Sequence, residues 1–273
     1  ARMSRDLARI RTDVPVEFDL ETSRHGEPDT EALIALFREF EFSSLLQDLK
    51  MKDPATKMSS QTVIAEEDFQ SLLQRLKTAA EFTIDAVLSD PEPMKAQIVG
   101  LTVSLEPGEI FYIPLGHDYA GMPEQLSTDL VLEGLMPYLR DEFVRKHGHD
   151  LKALMIALAT RNIPMHGIGC DTMIAAYILN PSRHGFALED TAMEHLNLRI
   201  ATAKDLAGTG ARTIPFSFVT IDRLREYASG RAEAISRMVP VLAERIDQEG
   251  FTYLFHEVEI PLLSILADME RYG

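Results

Sequence analysis

Three apolar runs that follow one another closely constrain the fold of this chain more than any other feature. They cover residues 81–88 (EFTIDAVL), 97–105 (QIVGLTVSL) and 109–116 (EIFYIPLG), and they are rich in β-branched and aromatic residues, which favour strands. The last two runs are joined by EPGE (106–109), and a Pro-Gly pair is typical of the tight turn of a hairpin. The sequence therefore predicts an antiparallel meander of three consecutive strands.

Helices are predicted before and after this meander. Apolar residues recur at helical spacing in 30–48, 66–80, 123–140 and 150–161, and nearly everything from 171 onward is predicted to be helical, ending in a long segment at about 220–249. A short strand, EFVRKHG (142–148), separates two of these helices. A three-strand meander followed by helix, strand and helix is the element order of a ribonuclease H-like core. We therefore expect an α/β fold in which a mixed sheet containing the meander is flanked by helices.

A polar stretch divides the chain before the meander. Residues 49–67 (LKMKDPATKMSSQTVIAEE) contain a proline and two adjacent serines, which is typical of a linker. We place the main domain boundary there, near residue 60. A short run typical of a strand, VPVEFDL (14–20), precedes it.

The charge balance limits how the chain can handle nucleic acid. With 27 Lys and Arg against 43 Asp and Glu, the net charge is −16, whereas affinity for phosphate backbones comes from basic side chains. We therefore expect weak or no autonomous nucleic-acid binding.

The cysteine content and the lack of a long apolar run bear on the cellular location of the chain. Cys170 is the only cysteine, which excludes a disulfide framework and fits a reducing cytosol. No apolar run approaches the roughly 20 residues that a membrane-spanning helix needs. We expect a cytoplasmic monomer without a membrane partner, and we expect it to be part of a longer protein, because position 1 is not Met and the last helix ends directly at Gly273.

Several stretches resemble one known family, in the order in which the family has them. A hairpin of the 3′→5′ exonuclease domain of bacterial (family A) DNA polymerase I resembles VGLTVSLEPGEIFYIPLGHDY (99–119). The middle of that domain resembles DTMIAAYILNPSRHGFALEDTAMEHL (171–196), and its glycine-containing loop and following helix resemble LAGTGARTIPFSFVTIDRLREYAS (206–229). The helix that leads from that domain into the polymerase domain resembles FHEVEIPLLSILADMERYG (255–273), and the tail before that domain resembles RDLARIRTDVPVEFDL (5–20).

This resemblance implies a DnaQ-like exonuclease fold and a division of the chain into three parts. Residues 1–60 would be the tail from a 5′-nuclease domain and a linker, 61–255 the exonuclease-like domain, and 256–273 the start of the helix that leads into a polymerase domain. That polymerase domain would be a partner in the same polypeptide, and DNA would be bound through it. The parent protein would be a nucleotidyltransferase that uses Mg²⁺ for template-directed DNA synthesis in replication and repair.

The resemblance also implies where the metal ligands of an active family member would fall. Such an enzyme hydrolyses phosphodiesters with two divalent ions held by converging carboxylates. Asp85 stands at the first ligand position, but Val87 occupies the second. Leu154 occupies the third position, where an active enzyme has an Asp on a helix. Tyr227 is retained, but Arg231, four residues later, stands where the fourth ligand, another Asp, is needed. One of four carboxylates survives. We therefore expect no catalytic residue, no metal and no cofactor in this domain, which would be an inactive exonuclease with a structural role.

Two alternatives remain at this point. The first is an active two-metal 3′→5′ proofreading exonuclease with displaced ligands, which would use Mg²⁺ and needs further acids near Asp85. Each candidate has a simpler role: Asp150 and Asp171 stand where helix caps are expected, Asp90 lies in the Pro-rich turn SDPEP, and Glu233 is expected to point elsewhere on its helix. The second is a passive module that binds single strands or mismatches, and the acidic composition opposes it.

Overall fold

The computed structural model describes part of the N-terminal region and almost all of the remainder of the chain. Described are residues 28–40, 58–210 and 213–273, with residues 8–10, 15, 19, 26, 42 and 45 in addition. The chain divides into two compact units, residues 1–41 and residues 42–273. The strand predicted at 14–20 lies outside the described residues, apart from positions 15 and 19.

The first unit contains one described helix. Helix α1 spans Thr30–Glu39, and the carboxylate of Asp29 accepts a hydrogen bond from the backbone N–H of Ala32 at 3.1 Å, which satisfies a donor that the first turn leaves unpaired. The prediction of a helix from residue 30 is confirmed. Of its expected continuation over 41–48, only Phe42 and Leu45 are described.

The second unit is built on a mixed sheet of six strands within the described residues. The strands are β1 (Ser59–Thr62), β2 (Glu81–Leu88), β3 (Ile98–Glu106), β4 (Glu109–Pro114), β5 (Arg145–Gly148) and β6 (Ile168–Asp171). Their order across the sheet is β1-β4-β3-β2-β5-β6. Strands β2, β3 and β4 form the predicted antiparallel meander, while β1, β5 and β6 each join the sheet in parallel to a neighbour. The expected fold class is confirmed.

Two strands differ from the sequence-based expectation. Strand β1 lies inside the stretch predicted to be a linker and pairs with β4, so the linker prediction is wrong for 59–62. Its sequence, SSQT, is polar because β1 is an edge strand whose pairing comes from the backbone and whose side chains stay partly exposed. Strand β6 is not predicted from the sequence, since four residues are too few to establish a period. The predicted domain boundary near residue 60 falls within β1.

Helices connect and cover the strands. They are α2 (Glu66–Leu76), α3 (Thr128–Arg140), α4 (Leu151–Ala159), α5 (Thr172–Leu179), α6 (Leu188–Leu196), α7 (Ala203–Ala207), α8 (Ile221–Gln248) and α9 (Ile260–Tyr272), with a 3₁₀ turn at Phe216–Phe218 and a π-helical turn at Leu254–Glu259. The predicted helices are confirmed with shifted ends. Helix α3 begins at residue 128 rather than 123, because the side chain of Ser127 caps it by accepting from the N–H of Leu130 at 3.1 Å.

The alternation of side chains along β2 separates two packed layers. Phe82 and Ile84 face a core formed with α2, α3, α4 and α9, while Val87 faces a second cluster that includes Leu224 on α8. Since residues two apart on a strand share a face, Asp85 also points toward α8. The sheet therefore presents its one central carboxylate to the long helix α8. Every helix in the described part of the chain is too short or too polar to cross a bilayer.

Candidate functional site

A cleft of about 350 Å³ opens where β2, α4 and α8 meet. Its walls come from β2 and the turn after it, the β5–α4 turn, α4, the 3₁₀ turn and α8. The five positions implied by the resemblance all line this cleft: Asp85, Val87, Leu154, Tyr227 and Arg231. They come from three distant segments, so the fold brings together the residues that the sequence pointed to separately.

Asp85 and Arg231 form an ion pair inside the cleft. The Nε–H of Arg231 donates to Oδ2 of Asp85 at 2.7 Å, and its Nη2 donates to Oδ1 at 3.3 Å, which is a two-point contact of guanidinium with carboxylate. Asp85 is only 6% exposed. Burial opposes protonation of the guanidinium, but the charge and hydrogen bonds of Asp85 outweigh burial and hold the pKa of Arg231 above its ordinary value. Arg231 therefore stays charged and neutralises Asp85.

Val87 and Leu154 close two walls of the cleft with apolar surface. Val87 is buried in the cluster between the sheet and α8, with Val99 and Leu224. Leu154 is buried in the main core on the other side of the cleft. Both side chains are part of packed cores, so each contributes to folding and offers a metal ion no ligand.

Tyr227 belongs to an aromatic wall beside the ion pair. Its ring stacks on Phe216 with centroids 6.0 Å apart and an interplanar angle of 24°. The guanidinium carbon of Arg231 lies 5.7 Å from the centroid of the Tyr227 ring, within the range of a cation–π contact. Burial raises the pKa of Tyr227. Tyr227 thus packs against both Phe216 and the residue four positions later on α8.

The β5–α4 turn is fixed by a carboxylate from another strand. Asp150 occupies the N-cap position of α4, as predicted, but it adopts a left-handed conformation (φ 53°) and its side chain makes no capping hydrogen bond. Asp171, at the end of β6, accepts instead from the N–H groups of Leu151 at 2.7 Å and of Asp150 at 3.2 Å. It also accepts from Met173 N at 2.9 Å at the start of α5, which confirms its predicted cap. Asp171 therefore serves two helix N-termini at once.

His149 lies in the cleft wall next to this turn. Its Nδ1 is 2.9 Å from the hydroxyl oxygen of Thr172, which is also 3.1 Å from the carbonyl oxygen of Gly148. Burial, reinforced by the charge of Arg231, lowers the pKa of His149 to about 4. Nothing in the local sequence around His149 predicts that the residue lies within reach of the charge of Arg231.

Comparison with known proteins places this architecture in one family. The family model for the ribonuclease H-like domain of DNA polymerase I matches residues 88–238. The chain belongs to this family. Along its full length it is 32% identical to DNA polymerase I of Pseudomonas aeruginosa and 30% identical to that of Chloroflexus aurantiacus, covering 32% and 33% of those proteins. It thus spans about a third of the length of these relatives.

Solved structures share the fold of this polymerase I domain at lower identity. A polymerase-domain structure of Pol1 from M. smegmatis, in complex with DNA primer-template and dNTP, aligns with a TM-score of 0.60 and 20% identity, over 77% of this chain and 31% of the other. Brucella melitensis NrnC with bound Mg²⁺ aligns with a TM-score of 0.56 and 17% identity, over 78% and 92%. These likenesses concern the fold alone.

The donor set in the cleft does not fit the pair of divalent ions that the polymerase I resemblance would imply. Two such ions need several converging hard oxygen ligands, and no three His, Cys, Asp or Glu side chains among the described residues converge in that way. The carboxylate of Asp90 accepts from the N–H of Glu92 at 2.8 Å in its turn, as predicted. Glu233 accepts from Gly108 N at 2.6 Å, at the hairpin outside the cleft, which confirms that it points elsewhere.

Proposed function

We propose that the chain is a catalytically inactive 3′→5′ exonuclease domain that serves as a structural domain of a longer DNA polymerase I. The ion pair between Asp85 and Arg231 is the observation that carries this proposal. Under this proposal, residues 1–60 are the tail and linker, residues 61–255 are the exonuclease-like domain, and residues 256–273 are the start of the helix that leads into the polymerase domain. The parent protein performs template-directed DNA synthesis in replication and repair with Mg²⁺.

The electrostatics of the cleft favour inactivity. A divalent ion bound at Asp85 would have to displace a guanidinium that contacts both carboxylate oxygens. Asp85 alone cannot replace the several ligands that two ions need, and a nearby fixed positive charge repels any ion that approaches. The apolar positions Val87 and Leu154 supply no ligand in compensation. In this proposal the cleft therefore offers two divalent ions neither enough ligands nor a favourable electrostatic environment.

The last helix supports the structural part of the proposal. Helix α9 buries Leu263 and Ala267 against the core of the exonuclease-like domain. A second stripe points outward, with Ile265, Met269 and Tyr272 exposed by 55%, 63% and 83%. A helix that is apolar on two faces is suited to lie between two bodies. We assign the second body to the polymerase domain of the same polypeptide, through which DNA is bound.

A nuclease assay tests the inactivity directly. The purified chain is incubated with single-stranded DNA labelled so that loss of 3′ nucleotides shortens the product, with Mg²⁺ and separately with Mn²⁺. We expect no shortening beyond a metal-free control. Shortening that persists in Asp90→Ala but disappears in Asp85→Ala would instead establish the alternative, an active proofreading exonuclease with displaced ligands.

A further inference from the structure

The charges that line the cleft are unevenly distributed. Asp85, Asp90 and Asp150 contribute three carboxylates, while Arg231 is the only lysine or arginine among the described residues of the lining. The guanidinium engages both oxygens of Asp85, and the Thr102 hydroxyl donates to the backbone carbonyl of Asp85 rather than to its carboxylate. Neutralisation of this buried carboxylate therefore depends on Arg231.

The position of Arg231 gives the pair a mechanical role as well. Asp85 belongs to β2 at the centre of the sheet and Arg231 to α8, 146 residues later in the chain. A metal ion held between a strand and a helix joins the two elements and neutralises its ligands at the same time. Here the guanidinium does both without any ion. Because it is covalently attached to α8, it is present at every cation concentration.

We propose that Arg231 is a tethered counter-cation that replaces a bound divalent ion in this cleft, and that its removal converts the cleft into a site for Mn²⁺ or Mg²⁺. This inference rests on the proposed function, since an active metal centre would leave no place for it. Without Arg231, Asp85 is a buried carboxylate without a counter-charge, which a protein tolerates poorly. Asp150 lines the same cleft, so its wall contains a second carboxylate. Divalent cations prefer such donors.

The test compares the thermal unfolding of four proteins with Mn²⁺ and with EDTA. They are the natural chain, Arg231→Gln, Arg231→Gln combined with Asp85→Asn, and Arg231→Lys. Gln keeps much of the side chain and can still donate to Asp85, but it carries no charge. In Arg231→Gln we expect Mn²⁺ to raise the melting temperature by about 3 °C at roughly ten times its Kd. The other three proteins should not respond, because each retains a cation or lacks the carboxylate.

Binding is measured separately by the loss of the free Mn²⁺ signal in electron paramagnetic resonance. Arg231→Gln should remove free Mn²⁺ from solution, and the double variant should not. If Arg231→Gln folds only when Mn²⁺ is added, the proposal is also supported. Equal behaviour of the single and double variants would overturn it, as would a response to Mn²⁺ in Arg231→Lys, which remains informative even if Arg231→Gln does not fold.

The result separates this inference from the proposed function. If the natural chain shows no nuclease activity and the melting temperature of Arg231→Gln does not respond to Mn²⁺, the proposed structural role stands. Only the proposal that Arg231 replaces a divalent ion is then refuted. A natural chain whose melting temperature rises with Mn²⁺, and loses this rise in Asp85→Asn, contradicts both.

Discussion

The carboxylate of Asp171 accepts a hydrogen bond from the backbone N–H of Leu151, 20 residues earlier, at 2.7 Å. Because the same carboxylate also caps its own helix through Met173, the N-termini of α4 and α5 are held at one point. The β5–α4 turn, which carries His149 and Asp150 into the cleft, takes its shape from this contact. The geometry of the cleft therefore depends on a residue that does not line it.

Asp171→Asn should destabilise the domain strongly. An amide offers one acceptor oxygen where the carboxylate offers two, so at least one of the helix caps is lost and a buried N–H is left unpaired. Each lost cap costs about 1 kcal/mol and a buried unpaired group about 1–3 kcal/mol, so we expect a loss of about 2–4 kcal/mol. Urea unfolding monitored by circular dichroism measures it.

Asp205→Asn is the matched control for this change. Asp205 belongs to the capping box of the short helix α7 and is exposed. Its carboxylate serves one helix end only, so the same substitution there affects a single cap. A clearly smaller loss is expected. Equal losses for the two variants would mean that sharing one carboxylate between two helices has no special weight.

Substitutions of Asp85 and Arg231 should be strongly coupled in stability. Arg231→Met alone leaves a buried charge unpaired, which costs about 3–5 kcal/mol. Combining it with Asp85→Leu replaces the pair by apolar side chains, and such replacements are often neutral or stabilising. We therefore expect the double variant to be more stable than Arg231→Met in urea unfolding. Additive losses in this double-mutant cycle would show that the pair contributes little.

Stability should fall in mild acid because His149 is buried in its neutral form. Its pKa is about 4 in the folded protein and about 6.5 when unfolded, so between these values the unfolded chain binds a proton that the folded chain does not. The contribution of His149 is fully present above pH 6.5 and is lost as the pH falls toward 4. Between pH 7.5 and 5.5 the loss due to this residue should be about 1.4 kcal/mol.

The measurement compares the free energy of unfolding at these two pH values in the natural chain and in His149→Gln. The variant should show a smaller loss by that amount, because glutamine does not titrate. Burial also lowers the pKa of His117 and His147, so a remaining pH dependence is expected in the variant. The surface substitution His184→Gln serves as control, and an identical effect of both substitutions would refute the role of His149.

Local residue patterns predicted the meander and the long helix α8, whereas the five cleft positions were implied by the resemblance to the polymerase I family. Apolar alternation defines β2 and β3, and helical spacing defines α8 over most of its length. The ion pair itself was not predicted, although opposite charges at positions 85 and 231 were a usable signal. Strand β1 was missed because its pairing with β4 comes from backbone groups, and the cap of α4 because Asp171 reaches it only in the folded chain.

If the proposed function holds, the outward face of α9 should matter only in the longer polymerase. In the 273-residue chain, Met269→Ser changes an exposed side chain, and its effect on the free energy of unfolding should stay within about 0.5 kcal/mol. Leu263→Ala, on the buried face of the same helix, should cost about 2–5 kcal/mol.

In the longer protein, by contrast, Met269→Ser combined with Ile265→Ser should lower the melting temperature, since the proposed contact with the polymerase domain buries both side chains. Differential scanning calorimetry of both proteins measures this. No change in the longer protein would place the polymerase domain elsewhere and remove the bracing role of α9.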